Sequence, residues 1–460
     1  MTSPGLTAAL EKMEAAKIRP AAIKSFTHSY RELAAGSTGI VPEDTIDPVD
    51  NIPHLDELDA TDEQQAAALN RTVVIRLNGG LGTSMGMEKA KSLLPVRGER
   101  TFLELMVAQI QYLRKTTGAR LPFMVMNSFR TRQDCMAYLE SVPGLVVDDL
   151  PLDFLQNAVP KLRTSDLSPV TWEQDPELEW CPPGHGDIFT TLYDSGLLAK
   201  LLEQGYRYLF IANGDNLGAF PDGRIAAYLA ASGAPFLTEV TRRTPADVKG
   251  GHLAWRKADG QLILRETAQT APEDLKYFMD GDRHPFAHCN NLWFDIKALQ
   301  NRLTETEGVL GLPLIRNEKT VDPTDSDSPA VYQLETAMGA AVQCFAGAQA
   351  LEVGRDRFLP VKTTNDLLLL RSDVYELGDD AVPKLRPSRA PLINLDPRYY
   401  KRIADFDARF PAGPPSLVDA VSLTVEGDWT FGANVQVRGA VTLNPSTTGA
   451  GRIPDASILA

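Results

Sequence analysis

Apolar positions recur along the chain with two distinct periods, and the periods predict the elements. Thr72–Leu77 is an unbroken apolar and β-branched run, the pattern of a strand buried on both faces. Pro122–Met126, Tyr208–Ala212 and Phe236–Thr241 read the same way. Between them, helical spacing predicts helices over Phe102–Thr117, Thr131–Leu139, Leu192–Gln204 and Arg224–Ser232. Strands and helices alternate from Thr72 to Arg371, which predicts a doubly wound α/β domain over residues 71–380. In such sheets ligands bind beyond the carboxyl ends of strands, near a switch in strand order. Residues that directly follow strands therefore carry the most weight.

The flanks differ. Leu10, Met13, Ala16 and Ile23 recur at helical spacing within Thr7–Leu33, interrupted at Pro20. Glu43–Asp59 is acidic and proline-bearing, which predicts a solvated connector and makes residues 1–70 a helical and extended N-terminal segment. Pro383–Tyr400, rich in proline and arginine, predicts a linker. Short apolar pulses follow at Ala420–Val425, Trp429–Phe431, Val435–Val437, Val441–Leu443 and Ser457–Leu459, with glycines and Asn434 between them. A repeat of about six residues with small turn residues predicts a parallel β-helix within residues 381–460. So short a stack leaves an end for another subunit to cap, hence a homo-oligomer.

Composition narrows the class. The 460 residues allow two or three domains, and the 43% hydrophobic content fits a sizeable core. No run of about 18 apolar residues predicts a membrane span. The charged N-terminus has no apolar signal region, which predicts a cytoplasmic protein. The four cysteines (Cys135, Cys181, Cys289, Cys344) lack metal or disulfide spacing. A net charge of −14 argues against general nucleic-acid binding. An acidic protein that handles phosphates must gather cations locally, in loops and with a metal ion.

The candidate chemistry starts where the first buried strand ends. Asn78-Gly79-Gly80-Leu81-Gly82 cannot continue that strand, and Lys89, Lys91 and a helix follow. Strand, glycine loop, lysine and helix cradle phosphates with backbone N–H groups and ammonium charge. Two phosphate motifs fail to match. The dinucleotide fingerprint would need glycine where Met85 stands, and the P-loop would need glycines where Met85 and Ala90 stand. That disfavours an NAD-dependent oxidoreductase. Asn213-Gly214-Asp215-Asn216 ends the strand at Tyr208, and Asp215 there suits Mg²⁺, a hard cation held by few carboxylates plus phosphates. In Trp180-Cys181-Pro182-Pro183-Gly184-His185-Gly186-Asp187 a rigid loop exposes His185 to donate to an anion, and Asp187 can N-cap the next helix. The side-chain amides of Gln156, Asn290 and Asn291 both donate and accept, as bases and sugar hydroxyls require. Lys362 follows a short apolar run and can set a point charge against phosphates.

These segments together resemble the eukaryotic-type UTP–glucose-1-phosphate uridylyltransferases: LNGGLGTSMG with Lys91-Ser92, the FLQNxVPK pattern at Phe154, PPGHGD, Asn213–Asn216, Asn290-Asn291-Leu292-Trp293 and the R-F-x-P-V-K-T-x-x-D-L pattern at Arg357. The resemblance runs from about residue 20 to the end. It implies a nucleotidyltransferase domain (Rossmann-like, GT-A-like) and a left-handed β-helix at the C-terminus. It implies that UTP contacts Leu77, Asn78, Gly79, Gly80, Lys91, Gln156, Gly184, Asn213 and Asp215, with Gln156 reading uracil and Asp215 holding Mg²⁺. The sugar phosphate would meet His185, Lys249, Gly250, Glu266, Asn290, Asn291 and Lys362. Lys91 and Lys362 would be catalytic: a phosphate oxygen of glucose 1-phosphate attacks the α-phosphorus of UTP in line, and pyrophosphate leaves. The chain departs from the family pattern at Met87-Glu88-Lys89-Ala90, Gly214 and His288-Cys289. N-acetylglucosamine-using relatives carry Leu-Ala-Gly-Gly-Gln-Gly-Thr-Arg in the loop, so Leu77–Ser84 favours glucose, with galactose 1-phosphate a side substrate to test. A non-catalytic nucleotide-binding scaffold is disfavoured because Lys91, Asp215 and Lys362 are all retained.

Overall fold

A computed structural model describes residues 3–82, 85–87, 89–244, 247, 250–445 and 451–460. Its centre is a ten-stranded sheet. The strands are β1 (Ile46–Pro48), β2 (Thr72–Asn78), β3 (Phe123–Asn127), β4 (Asp153–Leu155), β5 (Tyr208–Asn213), β6 (Phe236–Arg242), β7 (His252–Arg256), β8 (Gln261–Arg265), β9 (Phe286–Asp295) and β10 (Gln349–Glu352). The main path runs β1-β7-β9-β5-β2-β3-β4, with β6 and β8 paired to β9 and β7, and β10 to β6. The half formed by β5, β2, β3 and β4 is parallel. Beyond β5 the pairing through β9, β7 and β1 is antiparallel. The chain leaves β2 on one side for β3 and β4, then returns on the other side as β5. The switch in strand order therefore falls between β2 and β5, and a crevice is expected at their carboxyl ends.

Both faces of the parallel half are covered, which is why its strands read as continuous apolar runs. Val74, Val125, Phe210 and Ala212 belong to one hydrophobic cluster. Their chain neighbours Val73, Ile75, Met124, Met126, Leu209 and Ile211 belong to another across the sheet, as the period of two demands. The first cluster is built on the helix Phe102–Thr117, whose ends lie where the sequence places them. Thr101 and Glu104 form a reciprocal cap at its start, and Gly118 ends it with φ +70°. The same cluster continues through Tyr400, Phe406 and Phe410 to Phe431 and Ile453.

Three sequence expectations are corrected. Leu192–Gln204 is not one helix: Asp187–Asp194 and Leu197–Glu203 are separated at Ser195-Gly196, where Gly196 adopts φ +69°. Asp187 does not cap the first of these. It is the first helical residue, and its carboxylate accepts from the backbone N–H and side-chain amide of Asn157 (2.6 and 2.9 Å) and from Thr191 Oγ1 (3.0 Å). Nor is Glu43–Asp59 wholly a solvated connector. Glu43, Ile46, Val49 and Leu55 are buried, and β1 extends the sheet beside β7.

The C-terminal pulses form short parallel pairs. Leu392–Leu395, Ala420–Val425 and Gly439–Leu443 make one three-stranded sheet. Trp429–Phe431 pairs with Gly451–Ile453, and Gln436–Val437 with Ile458–Leu459. Among the described residues no helix is long and apolar enough to cross a membrane.

Candidate functional site

Two adjacent parallel strands deliver the central pair. Gly79 and Gly80 directly follow β2, Asp215 follows β5, and Lys91 starts a short 3₁₀ turn beyond the glycine loop. The backbone N–H of Lys91 donates to the Gly80 carbonyl (3.1 Å), folding the loop back on itself. The Lys91 ammonium then lies 2.5 Å from Asp215 Oδ2, with both side chains about one-fifth exposed. Glycine is needed at 214, since a Cβ there would sit 2.5 Å from the Leu77 carbonyl oxygen. That close approach fixes the Asp215 turn against the end of β2.

At one end of this pair stands Gln156. Its backbone N–H donates to the Asn127 carbonyl (2.9 Å), continuing the β3–β4 pairing. Its side-chain amide lies on Gly79, where a Cβ would meet Oε1 at 2.8 Å and Nε2 at 2.9 Å. Gly79 is therefore what lets the Gln156 amide and the glycine loop occupy neighbouring positions. The half-buried amide makes no side-chain hydrogen bond among the described residues, which leaves both its donor and its acceptor for a ligand.

At the other end the segment carrying Lys362 is stitched to the Asp215 turn. Val361 N–H donates to the Asp215 carbonyl (3.3 Å), and Leu359 N–H to Asn216 Oδ1 (2.9 Å). Lys362 itself is exposed and in no ion pair among the described residues. Its charge reaches Glu266. Burial raises the pKa of that carboxyl above the ordinary range, and the Lys362 ammonium pulls it the other way. Gly251 lies under the same carboxylate, 2.6 Å from it as measured from an added Cβ. His185 accepts at Nδ1 from Met338 N–H (2.9 Å), so the proton of the neutral ring is on Nε2 and that nitrogen donates. Burial lowers its pKa to about 4, which keeps it neutral. Asn290, held at φ +58°, donates to Asn213 Oδ1 (3.0 Å). His288 accepts from the Asn290 N–H at Nδ1 (3.2 Å) and donates from Nε2 to Thr238 Oγ1 (2.8 Å). His288 thus supports Asn290 from behind.

Against known proteins, the profile described as UTP–glucose-1-phosphate uridylyltransferase matches residues 23–438. The chain belongs to that family. The UTP–glucose-1-phosphate uridylyltransferase of Hordeum vulgare is 40% identical over 425 residues, 91% of this chain and 85% of the relative. That of Saccharomyces cerevisiae is 40% identical over 407 residues, 88% and 80% of the two chains. Among solved structures, a variant UDP-glucose pyrophosphorylase of Leishmania major in complex with UDP-glucose superposes with a TM-score of 0.93. It is 43% identical, covering 100% of this chain and 98% of that one.

The enzyme does not bring every expected side chain to the cleft. Asn291 is fully buried: it donates to Glu239 Oε2 (3.0 Å) and the Arg357 carbonyl (3.3 Å) and accepts from Asn216 Nδ2 (3.3 Å). These partners take both its donors and its acceptor, leaving no group for a sugar. The Asn78 side chain is likewise buried, donating to Asn127 Oδ1 (2.7 Å) and Cys135 Sγ (3.0 Å). Glycine is required at 184, at φ +79°, by the Thr336 carbonyl, 2.4 Å from an added Cβ. Gly250 gives its carbonyl to Arg243 Nη2 (2.8 Å). Lys249 lies outside the described residues, as do Thr83, Ser84 and Glu88.

Sequence reasoning missed two supports. Arg76, fully buried in β2, donates to the carbonyls of Asn213 and Asn216 (both 3.3 Å) and of Ala219, gripping the Asp215 turn from beneath. Burial lowers its pKa to about 9, so it remains charged. A lone arginine in an apolar strand was the available signal. The second is the buried pair Arg357–Glu239, with both nitrogen–oxygen contacts at 2.7 Å, which also binds Asn291 and Trp293. Removing one partner of such a pair leaves a buried charge and costs on the order of 3–5 kcal/mol.

Proposed function

We propose that the enzyme catalyses UTP + glucose 1-phosphate ⇌ UDP-glucose + pyrophosphate. The observation that carries this is the Lys91–Asp215 pair at the strand-order switch, with Gln156 at one end and Lys362 beside Glu266 at the other. Uracil is read by the Gln156 amide, the triphosphate lies along Gly79–Gly80, and Lys91 holds the phosphates that leave as pyrophosphate. Glu266 and Asn290 accept and donate to sugar hydroxyls, and neutral His185 donates from Nε2 to the sugar phosphate. Lys362 offsets the charge gathered as two anions are brought together. The attacking phosphate is already ionised, so alignment and charge neutralisation dominate over general base catalysis.

Mg²⁺ fits this site as a substrate-shared ion. Among the described residues no group of three or more His, Cys, Asp or Glu side chains is gathered to hold a metal. Asp215 alone, with phosphate oxygens and water, matches how Mg²⁺ is usually held. When bound it would supply charge neutralisation at the phosphates. Phosphorus NMR of UTP, Mg²⁺ and glucose 1-phosphate tests the reaction: UDP-glucose and pyrophosphate signals must appear together, and hydrolysis of UTP to other products would refute it.

The same reading takes residues 1–70, 71–380 and 381–460 as N-terminal segment, catalytic domain and C-terminal left-handed β-helix of a cytoplasmic enzyme. Leu392, Val421 and Ile458 expose 58%, 66% and 55% of their surface on the C-terminal strands, which supports packing of that part against a second copy. Sedimentation of the full chain tests it.

A further inference from the structure

The N-terminal segment holds a charge cluster that lies under the sugar end of the site. Glu43 is 6% exposed and accepts from Arg265 Nη1 (2.5 Å), Arg283 Nε (2.5 Å) and His284 Nε2 (3.1 Å). Its backbone N–H donates to Asp274 Oδ2 (2.8 Å), which also accepts from Arg265 Nη2 (3.3 Å). His284 stacks on His252, ring centroids 3.8 Å apart. His252 and Arg265 are cross-strand partners in the β7–β8 pair.

The register links this cluster to the cleft. Arg265 and Glu266 are consecutive, as are His252 and Gly251, so within each pair the two residues face opposite sides of the sheet end. Arg265 and His252 face the Glu43 cluster, while the Glu266 carboxylate lies on Gly251. A second tie runs in parallel: Val41 N–H donates to the Gln269 carbonyl (2.8 Å), and Gln269 Oε1 accepts from Glu266 N–H (2.9 Å). Glu43 is the only carboxylate that joins Arg265, Arg283 and His284 among the described residues.

We infer that Glu43 is a positioning residue for sugar-phosphate binding, setting the height of Glu266 in the cleft through Arg265 and the His252–His284 stack. This rests on Glu266 being the sugar-side acceptor. It makes the N-terminal segment part of substrate selection. Neutralising Glu43 leaves Arg265, wholly buried, with Asp274 alone and frees Arg283 to turn into solvent. The end of β8 then shifts while the Gln156 and Lys91 end of the site stays in place.

Steady-state kinetics of the full chain separate the two questions. Wild-type saturation by glucose 1-phosphate tests the reading of the sugar site, and the variant tests the inference. Glu43→Gln should raise the KM for glucose 1-phosphate by about tenfold or more, as small misplacements of a positioned group do. The KM for UTP should move by less than about twofold, and Glu43→Asp, which keeps the charge, should recover part of the loss. An unchanged sugar-phosphate KM, or equal rises for both substrates, would overturn the inference. Should Glu43→Gln not fold, Arg283→Gln decides. It removes one donor from a side chain 40% exposed, and a selective rise in the sugar-phosphate KM supports the inference whereas no change overturns it.

Discussion

The ammonium of Lys91 lies 2.5 Å from Asp215 Oδ2. The residue assigned to the triphosphate and the residue assigned to the metal therefore neutralise each other in the free enzyme. On the proposed roles, nucleotide and metal would part them, with Lys91 turning to phosphate and Asp215 holding the cation. Asp215→Asn should consequently do two opposite things. UTP binding measured without metal should tighten, because Lys91 is released. Turnover with Mg²⁺ should fall by on the order of a hundredfold or more, with a raised Mg²⁺ requirement. Calorimetry in chelator and a metal titration of rate check both.

Lys362 presents the cleaner catalytic test, because it is exposed and makes no ion pair among the described residues. Lys362→Ala should leave thermal unfolding unchanged and cut kcat by on the order of a hundredfold. Comparing melting temperature with turnover separates charge loss from misfolding. Normal turnover would remove Lys362 from the mechanism.

Gly79→Ala places a methyl group 2.8–2.9 Å from the Gln156 amide atoms. The amide must move, so the KM for UTP should rise and discrimination against CTP should weaken, by about tenfold each for a lost base contact. Gln156→Ala should show the same pair of changes. The two substitutions together should add little, since one acts through the other.

Stability should fall as pH falls below neutrality. Burial holds His185 at about 4 and His288 at about 3 in the native state, against an ordinary 6.5. Between those values the unfolded chain binds more protons than the folded one, so acidification favours unfolding. By about pH 5.5 each histidine contributes about 1 kcal/mol of lost stability. Urea midpoints at about pH 7.5 and 5.5 read it, and His288→Asn should flatten the dependence.

Much of this was legible from pattern. The strand at Thr72 and the helix Phe102–Thr117 lie where their periods place them, because one is buried on both faces and the other carries its caps in sequence. The helix break at Gly196 is hidden in the sequence because the leucines on either side keep an approximate helical spacing. The placement of candidate residues was readable wherever they follow a strand, as Gly79 and Asp215 do. It was not readable where partners lie far off in sequence. Asn291 looks like a ligand until Glu239 and Arg357 are seen around it. Glu43 looks solvated until Arg265, Arg283 and His284 close over it.

The most direct test of the central claim is pyrophosphate release by the full chain in Mg²⁺, with each nucleoside triphosphate paired in turn with glucose, galactose and N-acetylglucosamine 1-phosphates. Release should require UTP and be fastest by far with glucose 1-phosphate. Equal release with other nucleotides would contradict the role of Gln156, and preference for N-acetylglucosamine 1-phosphate would contradict the sugar assignment. No release with any pair, although UTP binds, would contradict the reaction itself.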